Sequence, residues 1–311
     1  MTPTATIVIP AHDEEQWIAP AIESALAGQT IADVLVVDDG STDRTAEIAR
    51  SYERVTVVPC VGQGIVDVNN TGLTAATAEI VIHLDADDRL LPGAVEAFVD
   101  AFTDPEVVIA GGSTVVDDGT TAIDSKILFP SHRHLAVAAA AINPFSHTGT
   151  ALRRAPVLSL GGYRSDGDVP WGEDYDLWLR ILASGAKAAG VTQVVASKTL
   201  RPGGITAVHH EQQHGRMRSA RAQYRADIER PRFAELVALG QELRANTPAE
   251  ELRRRWSAVL AMLAMQLLGD GRPTDAAVVS AAAIRLGPVR LASGVIDHRR
   301  RMRRRRQVRT S

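Results

Sequence analysis

Apolar runs without polar alternation recur through the first third of the chain: Ala5-Thr-Ile-Val-Ile9, Val34-Leu-Val-Val37, Val55 to Val58 and Ile80-Val-Ile-His-Leu84. A strand covered on both faces needs no alternation, so these read as buried strands of a parallel sheet. Between them the period changes. Ile18, Ile22 and Leu26, four apart, predict a helix after the first strand, with Asp13 and Gln16 as its capping box. Further helices are expected from about Asp43 to Arg50, around Asn69, Asn70 and Gly72 after a Gly62-Gln-Gly64 loop, and from Pro92 to Phe102. Val107 to Ala110 reads as another strand. Strands alternating with helices predict an α/β protein with a doubly wound, mostly parallel sheet and helices on both faces.

From about Gly111 the alternation loosens. Asn143 to Arg154 reads as a loop entering a strand, and Gly161-Gly-Tyr163 as a turn. Glu173 and Asp174 open a helix whose apolar side carries Leu177, Trp178, Ile181 and Leu182, and a strand follows near Val191 to Ala196. Beyond His209 the sequence is helical and rich in Ala, Leu and Arg. Breaks near Pro231, Pro248, Gly269–Pro273 and Gly287-Pro288 divide it into four or five helices, read as a separate appendage.

The polar residues cluster where the strands end. The first strand runs into Pro10-Ala-His-Asp-Glu-Glu15, the second into Asp38-Asp-Gly-Ser-Thr-Asp43, and Ile80–Leu84 into Asp85-Ala-Asp-Asp88. In open α/β sheets ligands bind outside the carboxyl ends of the strands, so all three loops are expected along one edge. Asp85, Asp87 and Asp88 repel one another and call for a cation or hydrogen-bond donors. Mg²⁺ or Mn²⁺, hard ions with oxygen ligands, meet that need and usually arrive with a diphosphate.

Composition narrows the classes. At 45% hydrophobic and 23% charged residues the 311-residue chain is an ordinary soluble globular protein, long enough for one large α/β domain and an accessory region. A single cysteine, Cys60, excludes a disulfide framework and a cysteine-based zinc site, and it fits a reducing compartment. No signal peptide is visible, and the longest apolar run, about Trp256 to Leu268, is too short to span a bilayer. The segment 299–311 holds eight arginines and no acids; without them the net charge moves from -3 to -11. An acidic body argues against a nucleic-acid ligand. The basic tail reads as a disordered end, with peripheral contact to an anionic membrane as its other reading.

Together Thr6-Ile-Val-Ile-Pro-Ala-His-Asp-Glu-Glu15, Val36-Val-Asp-Asp-Gly-Ser-Thr-Asp43, Leu84-Asp-Ala-Asp-Asp88 and Glu173-Asp-Tyr-Asp-Leu-Trp-Leu-Arg180 resemble glycosyltransferase family 2, in the family's order and spacing, over roughly residues 4 to 207. The resemblance implies the GT-A fold and an inverting transfer from a nucleoside-diphosphate sugar. It divides the chain into a GT-A domain over 1–207, with a nucleotide-sugar half at 1–110 and an acceptor half at 111–207. The helical appendage at 208–298 and the tail at 299–311 lie outside it.

Carried over by position, the resemblance puts Pro10, Ala11 and Asp13 against the nucleotide base and Asp39 on a uracil or thymine ring. It assigns Asp85 to the ribose or sugar and Asp87 to the metal, with Asp85 and Asp88 as further metal candidates. Asp174 matches the base that deprotonates the acceptor hydroxyl. An acid in a helix's first turn is held ionised by the helix dipole, as a base should be. Glu173, Trp171, His147 and Arg201 are candidates for contact with acceptor or diphosphate. Asn143-Pro-Phe-Ser-His147 and Arg153-Arg154 also resemble segments of bacterial members that build surface polysaccharides, where they border the acceptor pocket.

Two departures stand out. Val68-Asn-Asn-Thr-Gly72 lacks the family's basic residue near the donor, and Arg201 stands where many members have a metal-ligating histidine. His209, His210 and His214 follow shortly after. The resemblance therefore implies Mg²⁺ or Mn²⁺ held mainly by Asp87 and phosphate, and a saccharide, lipid-linked or small-molecule acceptor; with no signal peptide or spanning run visible, a cytoplasmic enzyme is expected, and a homodimer is one open reading of its assembly. A sugar-phosphate nucleotidyltransferase would need a basic, Gly-rich loop after the first strand, and a dinucleotide enzyme a Gly-x-Gly-x-x-Gly there; the acidic Pro10–Glu15 is neither. A silent GT-A scaffold acting through its helices is the remaining alternative.

Overall fold

A computed structural model describes residues 4–60, 64–117, 122–126, 129–164, 172–199, 201, 210–227, 232–243 and 249–286. Trp171, His209 and the segment 299–311 lie outside the described residues, as do the side chains of His210 and His214.

The opening is a run of strand–helix units: β1 (Ala5–Ala11), α1 (Ile18–Leu26), β2 (Ile31–Asp38), α2 (Thr45–Arg50), β3 (Val55–Pro59), α3 (Ile65–Ala75) and β4 (Ile80–His83). β1 pairs in parallel with β2 and β4, and β2 with β3. Within this part the side chains sort by face, as alternation along a strand demands. Ile7, Ile9, Val34, Val36, Ile80 and Ile82 join α1 and α4 (Ala94–Ala101) in one apolar cluster. Val8, Leu35, Val37 and Val81 belong to the other. Both faces are buried, which is why the strands read as unbroken apolar runs.

The second half departs from a wholly parallel sheet. β5 (Arg89–Leu90), β6 (Val107–Asp117), β7 (Ala122–Lys126), β8 (Thr150–Arg153) and β9 (Lys187–Thr199) complete one sheet in the order β3-β2-β1-β4-β8-β6-β9-β5, with β7 on β6. β8 runs antiparallel to both β4 and β6, whereas β6 and β9 are parallel. The strand expected at Val107–Ala110 is part of a longer one because its upper half pairs with β9 as far as Asp117. α5 (His132–Ala139), α6 (Arg154–Ser159) and α7 (Glu173–Ala183) cover this half.

Among the described residues four helices follow: α8 (His210–Asp227), α9 (Phe233–Glu242), α10 (Ala249–Gly269) and α11 (Pro273–Leu286). Their buried Leu236, Leu239, Trp256, Leu260 and Val279 share one cluster with Val8, Val37 and Val81 of the sheet and with Phe129 and Leu135. Phe129 and His134 each meet the Trp256 ring, with centroids 5.3 and 5.2 Å away. No helix among the described residues is long and apolar enough to cross a membrane.

Candidate active site

The register of the parallel strands brings the acidic loops together, since Ala11 pairs with Asp38 and Val8 with His83. The first two loops are then stitched by hydrogen bonds. Asp39 N donates to Ala11 O at 2.9 Å. Asp13 Oδ1 accepts from Thr42 N at 2.7 Å, Glu14 N donates to Thr45 Oγ1 at 2.7 Å, and Glu15 N to Asp43 Oδ2 at 3.0 Å. Asp13 adopts φ 54°, the left-handed region that a non-glycine residue enters at a cost. The backbone N–H groups of Thr42, foremost, and Asp43 donate to its carboxylate and hold it below the usual range.

The expected capping box is therefore corrected. Helix α1 begins at Ile18, and Trp17 before it makes no side-chain cap. Asp13 is drawn across to the β2 loop instead. Asp39 Oδ2 accepts from Gly64 N at 3.3 Å, and His12 Nδ1 lies 3.0 Å from the Asp39 carbonyl oxygen.

The three aspartates after β4 have distinct surroundings. Asp85 N donates to Thr148 Oγ1 at 2.9 Å, and Asp85 Oδ1 lies 3.0 Å from His147 Nδ1. Burial pushes the Asp85 carboxyl up, but the His147 hydrogen bond and the charges of His147 and Lys198 outweigh it and hold it low. The same contact raises His147 against the opposite effect of burial. Asp87 forms an ion pair with Arg201 Nε at 2.7 Å, and Arg201 also pairs with Glu14. Burial, then the charge of Asp85, raises Asp87. Asp88, 2% exposed, accepts from Thr199 N at 2.8 Å through Oδ1, while Oδ2 is buried without a hydrogen-bond partner. Burial pushes Asp88 up to about 7.

Behind Asp85 lies a polar chain absent from the sequence reading. His147 Nε2 is 3.3 Å from Tyr163 Oη, which is 3.0 Å from Nε2 of the fully buried His83. Desolvation, then the charge of His147, holds His83 neutral. Asn70 clamps the Tyr163 backbone at both ends, accepting from its N–H and donating to its C=O at 2.8 Å each. The position at which the resemblance expects a basic residue is Asn69, one residue before this clamp; it is fully buried, and neither side-chain amide atom has a hydrogen-bond partner among the described residues.

Glu173 and Asp174 form the first turn of α7, as expected. Asp174 Oδ2 accepts from Asn143 Nδ2 at 3.3 Å and Oδ1 from Tyr175 N at 2.6 Å. Glu173 is 8% exposed, and burial followed by the charge of Asp174 raises it to about 7. Two turns are joined here by Asp176, which meets Arg164 at 3.0 Å and Arg180 at 2.9 Å; Arg180 also donates to the carbonyls of Leu160 and Gly162.

Arg153 and Arg154 have other work. Arg153 donates to the carbonyl of Phe102 at the C-cap of α4 and to those of Asp104 and Val107 in the connection to β6, and Arg154 donates to those of Leu73 and Thr74 in the last turn of α3. Lys198, unremarkable in the sequence, stands 4.0 Å from Asp85 and from Asp88.

A divalent ion was expected at Asp87, with Asp85 and Asp88 beside it. Among the described residues no three His, Cys, Asp or Glu side chains converge as metal ligands. Each carboxylate is directed at a cation of the chain: Asp87 at Arg201, Asp85 at His147 and Lys198, Asp88 at Lys198. In this arrangement the donor set does not fit a protein-held divalent ion.

Comparison with known proteins agrees with the fold. The sequence profile of glycosyl transferase family 2 matches residues 6–160. Succinoglycan biosynthesis protein ExoU of Rhizobium meliloti is 28% identical over 230 residues, 62% of this chain and 63% of that protein. Amylovoran biosynthesis glycosyltransferase AmsE of Erwinia amylovora is 32% identical over 127 residues, 40% of this chain and 47% of that protein. The chain thus spans less than two thirds of either relative. S. aureus TarS 1–349 in complex with UDP-GlcNAc superposes with a TM-score of 0.58 at 16% identity, covering 90% of each chain. Mannosyltransferase PcManGT from Pyrobaculum calidifontis, in complex with GDP-Man and Mn²⁺, gives 0.53 at 21% identity over 100% of this chain and 84% of its own. At these identities the likeness is one of fold.

Proposed function

The chain belongs to glycosyl transferase family 2, and on that premise we propose that it moves a sugar from a nucleoside-diphosphate sugar to an acceptor hydroxyl with inversion at the anomeric carbon. UDP or dTDP is the favoured carrier. The acceptor is a saccharide, lipid-linked or small-molecule alcohol, in keeping with relatives named for succinoglycan and amylovoran biosynthesis. The observation that carries this reading is His147. It is hydrogen-bonded to Asp85 at the end of β4 and lies in the field of Asp174 and Glu173 at the start of α7. Donor-side and acceptor-side carboxylates therefore meet around one side chain.

Pro10, Ala11 and Asp39 form the nucleoside wall. Asp13 shapes that wall, because its carboxylate is committed to Thr42 and Asp43. Asp85 receives the ribose or sugar. Asp174 takes the acceptor's proton while the acceptor oxygen bonds to the anomeric carbon; the carbon–oxygen bond to the diphosphate breaks and the electron pair leaves with it. Asn143 orients Asp174. Glu173, raised to about 7, retains a proton for much of the time at neutral pH and donates to the acceptor.

Asp174→Asn keeps the shape and removes the base. Nucleotide-sugar turnover is expected to fall by roughly 10²–10⁴-fold, the usual contribution of a positioned base, while calorimetry shows donor binding intact. Unchanged turnover would remove Asp174 from the chemistry. Absence of both binding and turnover across UDP-, dTDP- and GDP-sugars would leave the scaffold reading.

A further inference from the structure

Lys198 sits near the end of β9, opposite Val116 of β6. Its Nζ donates to Ser146 Oγ at 3.1 Å and lies 4.0 Å from both Asp85 Oδ2 and Asp88 Oδ2. The latter distances are ion-pair contacts, too long for hydrogen bonds. An ammonium has three donors, so two are left without a hydrogen bond among the described residues. The side chain is 31% exposed and can be reached from solvent. A few residues on, Arg201 is held between Glu14 and Asp87, with its guanidinium 6.0 Å from the centre of the Trp17 ring. Its planar fork suits phosphate oxygens.

Three carboxylates at Asp85–Asp88 repel an incoming diphosphate, so a donor site here requires positive charge beside them. That charge is already part of the fold. We infer that Lys198 and Arg201 are the fixed cations of the donor site, binding the diphosphate oxygens of a nucleoside diphosphate where a divalent ion would otherwise stand. The inference rests on the transferase reading and adds Lys198, which the sequence does not single out, beside Arg201 as the pair that recognises the diphosphate. On donor arrival Lys198 gives its two spare N–H groups to the ligand without releasing Ser146. Arg201 exchanges Asp87 for phosphate oxygen.

The test is calorimetric titration of the full chain with UDP, dTDP and GDP, each against its monophosphate, in EDTA and in Mn²⁺. One diphosphate is expected to bind at least 10-fold tighter than its monophosphate in EDTA. Lys198→Met is expected to shrink that ratio to under threefold, Arg201→Gln to reduce it partly, and Lys198→Arg to keep most of it. A diphosphate advantage that exists only in Mn²⁺, or one unaltered in a folded Lys198→Met, would overturn the inference while leaving the transferase reading standing. No nucleotide binding in either buffer would overturn both. Should Lys198→Met fail to fold, the parent protein in EDTA and Arg201→Gln still decide.

Discussion

Asp88 offers a test whose sign is opposite to that of most aspartate substitutions. The carboxyl is 2% exposed, one oxygen has no hydrogen-bond partner, and burial lifts its pKa from 3.8 to about 7. Between those two values the folded protein binds a proton that the unfolded chain has released. The stabilisation is therefore complete below about pH 4 and is lost as pH rises through about 7. With 1.36 kcal/mol per pKa unit, three units amount to about 4 kcal/mol. Relaxation of Lys198 toward the charged carboxylate brings this to roughly 2–4 kcal/mol at pH 8. Asp88→Asn keeps an oxygen for the Thr199 N–H and removes the titration. Urea unfolding of parent and variant at pH 4.5, 6 and 8, without ligand, should give similar stabilities at the lowest pH and a more stable variant at the highest. Parallel pH curves, or a variant less stable at pH 8, would refute the argument that Asp88 is a buried acid held against its charge.

Three further outcomes follow from the contacts around the cleft and the core. Asp176→Ala should lower stability by about 3 kcal/mol: it strands Arg180, while the half-exposed Arg164 contributes little, and a double-mutant cycle with Arg180→Ala apportions the pair. Gly162→Ala should cost about 2 kcal/mol and raise the donor KM, because φ is +61° and the added Cβ would stand 2.4 Å from Asn70 Oδ1; an unaltered melting curve would contradict the Asn70 clamp. Trp256→Ala should remove roughly 3–5 kcal/mol in chemical denaturation, within a single cooperative transition because the C-terminal helices and the sheet share a core; two separate transitions would contradict that.

The first half of the sheet was legible because its strands are covered on both faces, so Ile7 to Ile9, Val34 to Val37 and Ile80 to Leu84 carry no competing period. The position of the acidic loops at Asp38–Asp43 and Asp85–Asp88 was legible for the same reason, since an apolar run that stops at several carboxylates marks where the chain leaves the core. Long-range pairings were not. Lys198 looks like any strand lysine until β9 brings it to Asp85 and Asp88, more than a hundred residues earlier. His83 reads as part of an apolar run, and nothing local joins it to Tyr163 and His147. Asp13 stands where a cap belongs by local spacing, but its partner, the Thr42 N–H, comes from the next loop rather than the next turn. β8 was expected as a strand, but no residue in it announces that it runs against its neighbours.

The shared cluster that joins Trp256 and Leu260 to Phe129 and Leu135 also sets a timetable for synthesis. The apolar side of α5 leaves the ribosome about 120 residues ahead of the tryptophan that covers it. At roughly 5–20 residues per second, that surface waits on the order of 6–24 seconds for its partner. During translation that part of the surface is open to chaperones and to association with other nascent chains, and a stop codon placed before residue 249 would leave it without Trp256 and Leu260, although Leu236, Leu239 and Tyr224 of the same cluster would remain.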